Sequence, residues 1–266
     1  MTPTRPDSED YQRKKRLYDQ LLTIYGRKPV LEALQQPGIL VHRLHLADSN
    51  RPAALLDEIS TLARAKGAEI CLHSKQALSR ISRNGKQDQG VAVDLVLAGY
   101  QPHEVFLANM PAEFELIALD GITNPQNLGM IVRSALAGQI DGIVYSRRGN
   151  AALGPLVVKA SAGTLYRAPL LMCAGLPQAL QQCAARGMEI CTLAAQARQT
   201  LFEHRPAGHC IYVLGNESEG VSEAVSRGAD TALSIPMAKG VESLNVAVTA
   251  GLIAYAPALA RYYRER

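Results

Sequence analysis

The stretch FELIALDGITNPQNLGMIVRSALAGQIDGIVY, Phe114–Tyr145, decides how the rest of the chain is read. Phe114–Asp120 is a short apolar run of strand length. It is followed by a Gly-, Asn- and Pro-rich turn, and then by apolar residues at helical spacing up to Ala137. Gly142–Tyr145 is a second strand-like run. Pro125 keeps Asn124 extended, Asn127 is well placed to cap the helix, and Gly129 permits a close approach of backbone.

The same alternation continues outward. Strand-like runs recur at Leu170–Cys173, Glu189–Leu193, Cys210–Leu214 and Ala232–Ile235, with helical stretches at Asn127–Ala137, Gly175–Arg186 and Ser243–Tyr255. Strands separated by helices predict an α/β domain, 114–266, with a largely parallel sheet covered on both faces. Upstream, Pro29–Leu34, Pro52–Lys66 and Lys75–Ile81 read as helices, and Ile39–Ala47, Ala68–Leu72 and Gly90–Leu97 as strands. These define a smaller N-terminal α/β domain, 21–98. Residues 99–113 contain Pro and lack sustained periodicity, so they read as a linker. Residues 1–20, polar and without an apolar period, read as a flexible tail.

Composition narrows the class of function. With 47% apolar and 20% charged residues the chain reads as an ordinary soluble protein. No apolar run reaches the length of a membrane span, and the N-terminus has no signal-peptide core, so the cytoplasm is the expected compartment. Trp is absent and Phe occurs 3 times, which disfavours a stacking platform for single strands. The 5 cysteines include no C-x-x-C pair and the 6 histidines no H-x-x-x-H spacing, so neither a disulfide framework nor a metal site is expected. A net charge of +4 does not identify a nucleic-acid binder. Lys75, Arg80, Arg83 and Lys86, however, form a compact basic stretch without an acid among them, suited to phosphate contacts. A solvated helix face is the competing reading.

Ligands of open parallel sheets collect at the carboxyl ends of strands. Three such ends are rich in Gly, Asn and Ser: Gly121–Gly138, VLGNESEGVS (Val213–Ser222) and SIPMAKGVESLNVAVTAG (Ser234–Gly251). The second reads G-x-E-x-x-G, with Glu217 where a dinucleotide fold needs a Gly beside its pyrophosphate. No G-x-x-x-x-G-K-[ST] loop occurs. Such a site suits a nucleoside without phosphates, and S-adenosylmethionine (SAM) is one, with a cationic sulfonium that a carboxylate tolerates. With no metal-ligand cluster nearby, SAM binding is expected to need no divalent ion.

Taken together and in order, the three loops resemble the signature motifs of the SpoU/TrmH family of SAM-dependent RNA 2′-O-ribose methyltransferases, in the SPOUT superfamily. Asn127, Gly129 and Arg133 match the first motif, Gly215, Glu217 and Gly220 the second, and Ile235, Pro236, Met237, Ser243, Leu244, Asn245 and Val246 the third. The first domain is similar to the family's ribosomal-protein-like substrate-binding extension, through IYGRKPVLEAL (Ile24–Leu34) and QGVAV (Gln89–Val93). Asp88 stands where family members often have His.

The resemblance implies a trefoil knot in the C-terminal domain, a homodimer with active sites near the subunit interface, and catalytic roles for Arg133, Asn127, Glu217, Ser243 and Asn245. It implies that Gly215, Ile235 and Leu244 touch SAM while Leu214 and Met237 wall its adenine. Guanidinium is effectively always protonated, so Arg133 reads as a fork for an RNA phosphate and for the developing alkoxide rather than as a base. Glu217 is expected to hydrogen-bond RNA or Arg133. The implied partner is RNA, ribosomal more than transfer RNA, with a guanosine of 23S-type RNA as target. A transfer-RNA 2′-O-methyltransferase and a non-enzymatic ribosome-assembly factor are the alternatives.

Overall fold

The computed structural model describes residues 17–18, 20–138 and 140–264, with side chains to residue 256. All but Leu17, Tyr18 and Gln20 of the 1–20 tail lie outside the described residues. The chain divides into two compact units between Ala98 and Gly99.

The first unit contains β1 (Leu21–Tyr25), α1 (Arg27–Leu34), β2 (Leu40–Ala47), α2 (Ala54–Ala65), β3 (Glu69–His73), α3 (Lys75–Ser82) and β4 (Val91–Val96). Its four strands lie in the order β1-β4-β2-β3. β4 is antiparallel to both neighbours, whereas β2 and β3 are parallel. β1, LLTIY, starts the fold before Ile24; its alternating burial comes from pairing with β4. Gly67, at φ +74°, follows α2 in the left-handed conformation that a side chain would resist. Ser74 caps α3 by accepting from the Ala77 amide at 3.3 Å. Asp88 is buried, and its carboxylate accepts from Ser82 Oγ at 2.9 Å and from the Gly90 amide at 3.0 Å. The acid therefore locks the α3–β4 turn, a structural task.

The second unit runs β5 (Tyr100–Pro102), α4 (His103–Ala108), β6 (Glu115–Leu119), α5 (Pro125–Ala137), β7 (Gly142–Ser146), α6 (Pro155–Ala160), β8 (Leu170–Cys173), α7 (Leu176–Ala184), β9 (Glu189–Leu193), β10 (Gln199–Thr200), β11 (Cys210–Leu214), α8 (Glu223–Ser226), β12 (Thr231–Ser234) and α9 (Val246–Arg264). Eight strands form one sheet, β10-β12-β9-β11-β6-β7-β8-β5, and every pairing is parallel. The 99–113 segment is not a linker. β5 hydrogen-bonds β8 as the edge strand, and α4 follows it directly. A three-residue edge strand that ends in Pro leaves no periodic signal, and an edge tolerates the missing amide.

Both faces of this sheet are covered, as a parallel sheet requires. On one face Leu116, Ala118, Ile190, Ile211 and Val213 pack with Leu176, Leu180 and Cys183 of α7 in a single core. The other face receives α5 and α9, which pack against each other and against β7 and β11 respectively, with α6 beside α5. A Cβ on Gly129 would lie 2.5 Å from the Ala160 side chain and 2.7 Å from the Val157 carbonyl. Gly129 is thus what lets α5 and α6 touch. The strand order reverses at β6: the chain moves through β7 and β8 to one side and places β11, β9 and β12 on the other. No helix among the described residues is long and apolar enough to cross a membrane.

Candidate functional site

The loops after β6, β11 and β12 meet at the carboxyl end of the sheet, at the reversal of strand order where such folds open a crevice. The loop after β11 is a tight hairpin. Asn216 and Gly220 exchange both backbone hydrogen bonds at 2.9 Å, and Asn216 Oδ1 accepts from the Ser218 amide at 2.9 Å. A Cβ on Gly215 would lie 2.2 Å from the Gly220 carbonyl carbon and 2.3 Å from the Val221 amide nitrogen, so only Gly fits. Asn216 Nδ2 donates to the Gly121 carbonyl at 2.8 Å, and the Ser222 amide to Asp120 Oδ2 at 2.7 Å, which ties this hairpin to the loop after β6. Asn150, from the segment after β7, supports that loop in turn. It accepts from the Ile122 amide at 2.7 Å and donates to the Leu119 carbonyl at 3.1 Å.

Asn127 does not cap α5. Asn124 does, accepting from the Gln126 amide at 2.8 Å, because Pro125 occupies the first turn and sets the start of the helix two residues earlier than the apolar period suggests. Asn127 is instead buried in the first turn, where both ends of its amide are used. Its Nδ2 donates to Glu217 Oε1, and its Oδ1 accepts from Asn245 Nδ2 at 3.2 Å. Asn245 Oδ1 accepts from the Ala247 amide at 2.8 Å and so begins α9. One relay, Ala247–Asn245–Asn127–Glu217, therefore joins all three loops.

Beside this relay lies a cavity of about 230 Å³. Its walls include Leu214, Gly215, Ile235, Met237 and Leu244, the five residues expected to hold SAM, together with Glu217 and Ser243. Val213, Leu233 and Val246 add buried apolar surface. Four wall positions had no signal in the sequence reading. Leu193, Ala194 and Ala195 follow β9 without the Gly and Asn that mark the other strand ends, and Glu242 sits in the third motif between its matched residues. Two carboxylates on an apolar cavity with no phosphate cradle fit a cationic sulfonium nucleoside and oppose a pyrophosphate.

Arg133 stands apart. It is exposed on α5, does not line the cavity, and has no hydrogen bond or ion pair among the described residues. Glu217, expected near RNA or Arg133, pairs with Asn127 within the chain. Met130, one turn before Arg133, is 40% exposed, as are Leu156 on α6 and Val248 and Tyr255 on α9 to a greater degree. Arg133 thus lies one turn from an exposed apolar side chain, on a helix whose packing partners α6 and α9 carry others. Lys75, Arg80, Arg83 and Lys86 are all exposed on α3 and the turn after it, with Arg83 left-handed at the end of the helix.

Comparison with known proteins gives the same picture. The SpoU rRNA methylase family model matches residues 115–255, and the model for RNA 2′-O ribose methyltransferase substrate binding matches 23–101. An uncharacterized tRNA/rRNA methyltransferase of Mycolicibacterium vanbaalenii is 35% identical over 91% of this chain and 76% of its own length. One from Mycolicibacterium smegmatis is 33% identical over 96% and 80%. Among solved structures, the SpoU methyltransferase AviRb from Streptomyces viridochromogenes, in complex with AdoMet, superposes with a TM-score of 0.67 at 20% identity, covering 96% of this chain and 94% of that one. The AdoMet-bound rRNA methyltransferase of Sinorhizobium meliloti gives 0.62 at 20% identity, covering 94% and 89%. At that identity the two structures establish the fold.

Proposed function

The chain belongs to the SpoU rRNA methylase family, and from that premise we propose that it transfers the methyl group of SAM to a ribose 2′-hydroxyl, with a guanosine of 23S-type ribosomal RNA as the target. The observation that carries this reading is the Asn245–Asn127–Glu217 relay beside an apolar cavity with a carboxylate rim. It binds three separate loops into one site.

SAM, when bound, supplies an electrophilic methyl group. Leu214, Gly215, Ile235, Met237 and Leu244 would hold it in the cavity, and Glu217 and Glu242 favour its positive charge. Asn127 fixes Glu217, whose exposed carboxylate is left to position the ribose or its phosphate; Ser243 lines the cavity, and Asn245 acts beside it through its bond to Asn127. In-line transfer gains most from such positioning. Arg133 grips RNA phosphate with its planar fork and steadies negative charge growing on the 2′-oxygen. Its exposure near those apolar side chains supports a homodimer in which a second copy covers α5 and α9 and completes the site. The C-terminal trefoil knot belongs to the same proposal, as does a cytoplasmic location. Lys75, Arg80, Arg83 and Lys86 would hold RNA phosphates.

Mapping 2′-O-methylation in cellular RNA with and without the gene tests the reading. A single ribosomal guanosine that loses its methyl group supports it. A lost methyl in transfer RNA moves the target, in keeping with the tRNA/rRNA names of the relatives. Unchanged RNA together with no SAM binding in titration would leave the ribosome-assembly reading instead.

A further inference from the structure

At the amino end of the large sheet, opposite the cavity, lies a second set of chemical groups. β9 and β11 are paired with Cys210 opposite Glu189 and Tyr212 opposite Cys191. Residues two apart on a strand share a face, so these four side chains form a square on one side of the sheet. His204, from the segment between β10 and β11, comes over it. The Cys191 and Cys210 sulfurs are 3.6 Å apart, and His204 Nε2 is 3.8 Å from the Cys191 sulfur. The same nitrogen is 3.2 Å from both Glu189 carboxylate oxygens. Cys191 and Cys210 are fully buried and His204 nearly so.

The geometry points to a metal site: Cys191, Cys210 and His204, with Glu189 as fourth ligand, bind a thiophilic divalent ion, zinc being the ion of that class that suits them best. Zinc bound at about 2.3 Å to sulfur and about 2.0–2.1 Å to nitrogen or oxygen sets neighbouring tetrahedral donors roughly 3.3–3.8 Å apart. The separations of Cys191 from Cys210 and from His204, and of His204 from Glu189, fall in or close to that range, and the donor atoms of the two cysteines and His204 all lie within 4.8 Å of one another, a set that Glu189 joins through its contact with His204. The outer shell is in place as well. Thr231 Oγ1 donates to Glu189 Oε1 at 2.7 Å, and Tyr212 Oη lies 3.4 Å from His204 Nδ1, where it can accept that N–H and leave Nε2 free to bind metal. Uptake of the ion releases the two thiol protons to solvent as two metal–sulfur bonds form, with no change of oxidation state. Four protein ligands make a closed, structural site.

A second cluster, His45, Cys71 and His73 in the first unit, also brings three donors within 4.8 Å. It has one thiol and is partly exposed, and His45 Nε2 is already 3.0 Å from Asp94. The test therefore uses full-length protein carrying Cys71→Ser, purified under reducing conditions. Elemental analysis should find about one equivalent of zinc per chain, and cobalt exchanged into the site should show tetrahedral d–d bands with thiolate charge transfer. Tyr212→Phe, which keeps all four ligands, should weaken metal affinity roughly 10–100-fold. Cys191→Ser with Cys210→Ser should abolish the cobalt spectrum; if that variant fails to fold, the spectrum of the Cys71→Ser protein decides alone. Absence of tetrahedral cobalt–thiolate absorption in folded protein, full binding by the double variant, or a Cys191–Cys210 disulfide in protein isolated without reductant would each overturn the proposal.

Discussion

The two ends of the eight-stranded sheet use the same strands for opposite purposes. At the carboxyl end, the polar groups sit in loops, many exposed, and are held by hydrogen bonds that run from loop to loop: Asn216 to Gly121, Ser222 to Asp120, Asn127 to Glu217 and Asn245 to Asn127. At the amino end Glu189, Cys191 and Cys210 sit on the strands themselves, with His204 from the segment before β11, and these largely buried groups face one another side chain to side chain. A substrate site needs solvent access and backbone that can be shaped. A closed cluster needs rigid spacing and burial. Each kind of chemistry therefore has its own place on one parallel sheet.

Substitutions at four places sharpen that contrast or set it aside, the largest effect first. If Arg133 acts on RNA as proposed, Arg133→Ala should cost roughly 10²–10³ in single-turnover rate. SAM affinity should hold, because Arg133 does not line the cavity. Arg133→Lys should rescue poorly, since it lacks the planar fork. A variant that methylates RNA near the normal rate would remove Arg133 from the mechanism.

Gly215→Ala puts a methyl group 2.2 Å from backbone that has no room to give. The hairpin must open, so SAM affinity should fall about tenfold or more, equivalent to ~1.4 kcal/mol. Calorimetric titration checks it, and unchanged affinity would separate the hairpin from the cofactor site. Thr231→Val at the amino end should leave the same titration unaltered.

Asn127→Ala deletes the middle of the relay and strands two partners. Buried groups left unpaired cost about 1–3 kcal/mol, which a denaturant titration resolves. The rate should drop as well, because Glu217 loses its fixed position. A loss of stability with no loss of rate would make the relay purely structural.

The smallest effect concerns neither end of the sheet. Lys75→Glu with Arg80→Glu should weaken RNA binding and lower its dependence on log salt by about two phosphate contacts, with SAM affinity untouched. An unchanged salt slope would reduce α3 to a solvated face.

Much of this was legible in the chain itself. The strands β6, β7, β8, β9 and β11 show as apolar runs because most of their residues on both faces are buried, whereas β12 is buried only at its carboxyl half. The three motif loops are each continuous in sequence, so their residues declare themselves without a structure. β5 and α4 did not, because an edge strand of three residues carries too little pattern, and the role of Asn127 did not, because an Asn near a helix start is a common cap. Nothing in the spacing of Glu189, Cys191, His204 and Cys210 resembles a ligand motif.

The alternating architecture, the family and the five apolar and glycine wall positions Leu214, Gly215, Ile235, Met237 and Leu244 can be read from the chain alone. Those rest on local periodicity and on short contiguous motifs, which survive being read in one dimension. The tertiary structure alone decided that Asn127 joins Asn245 to Glu217, that Arg133 is left facing outward, and that two thiols, an imidazole and a carboxylate converge at the other end of the sheet. Strand register and helix packing set those distances, and they depend on pairings between segments far apart in the chain, which no local pattern encodes.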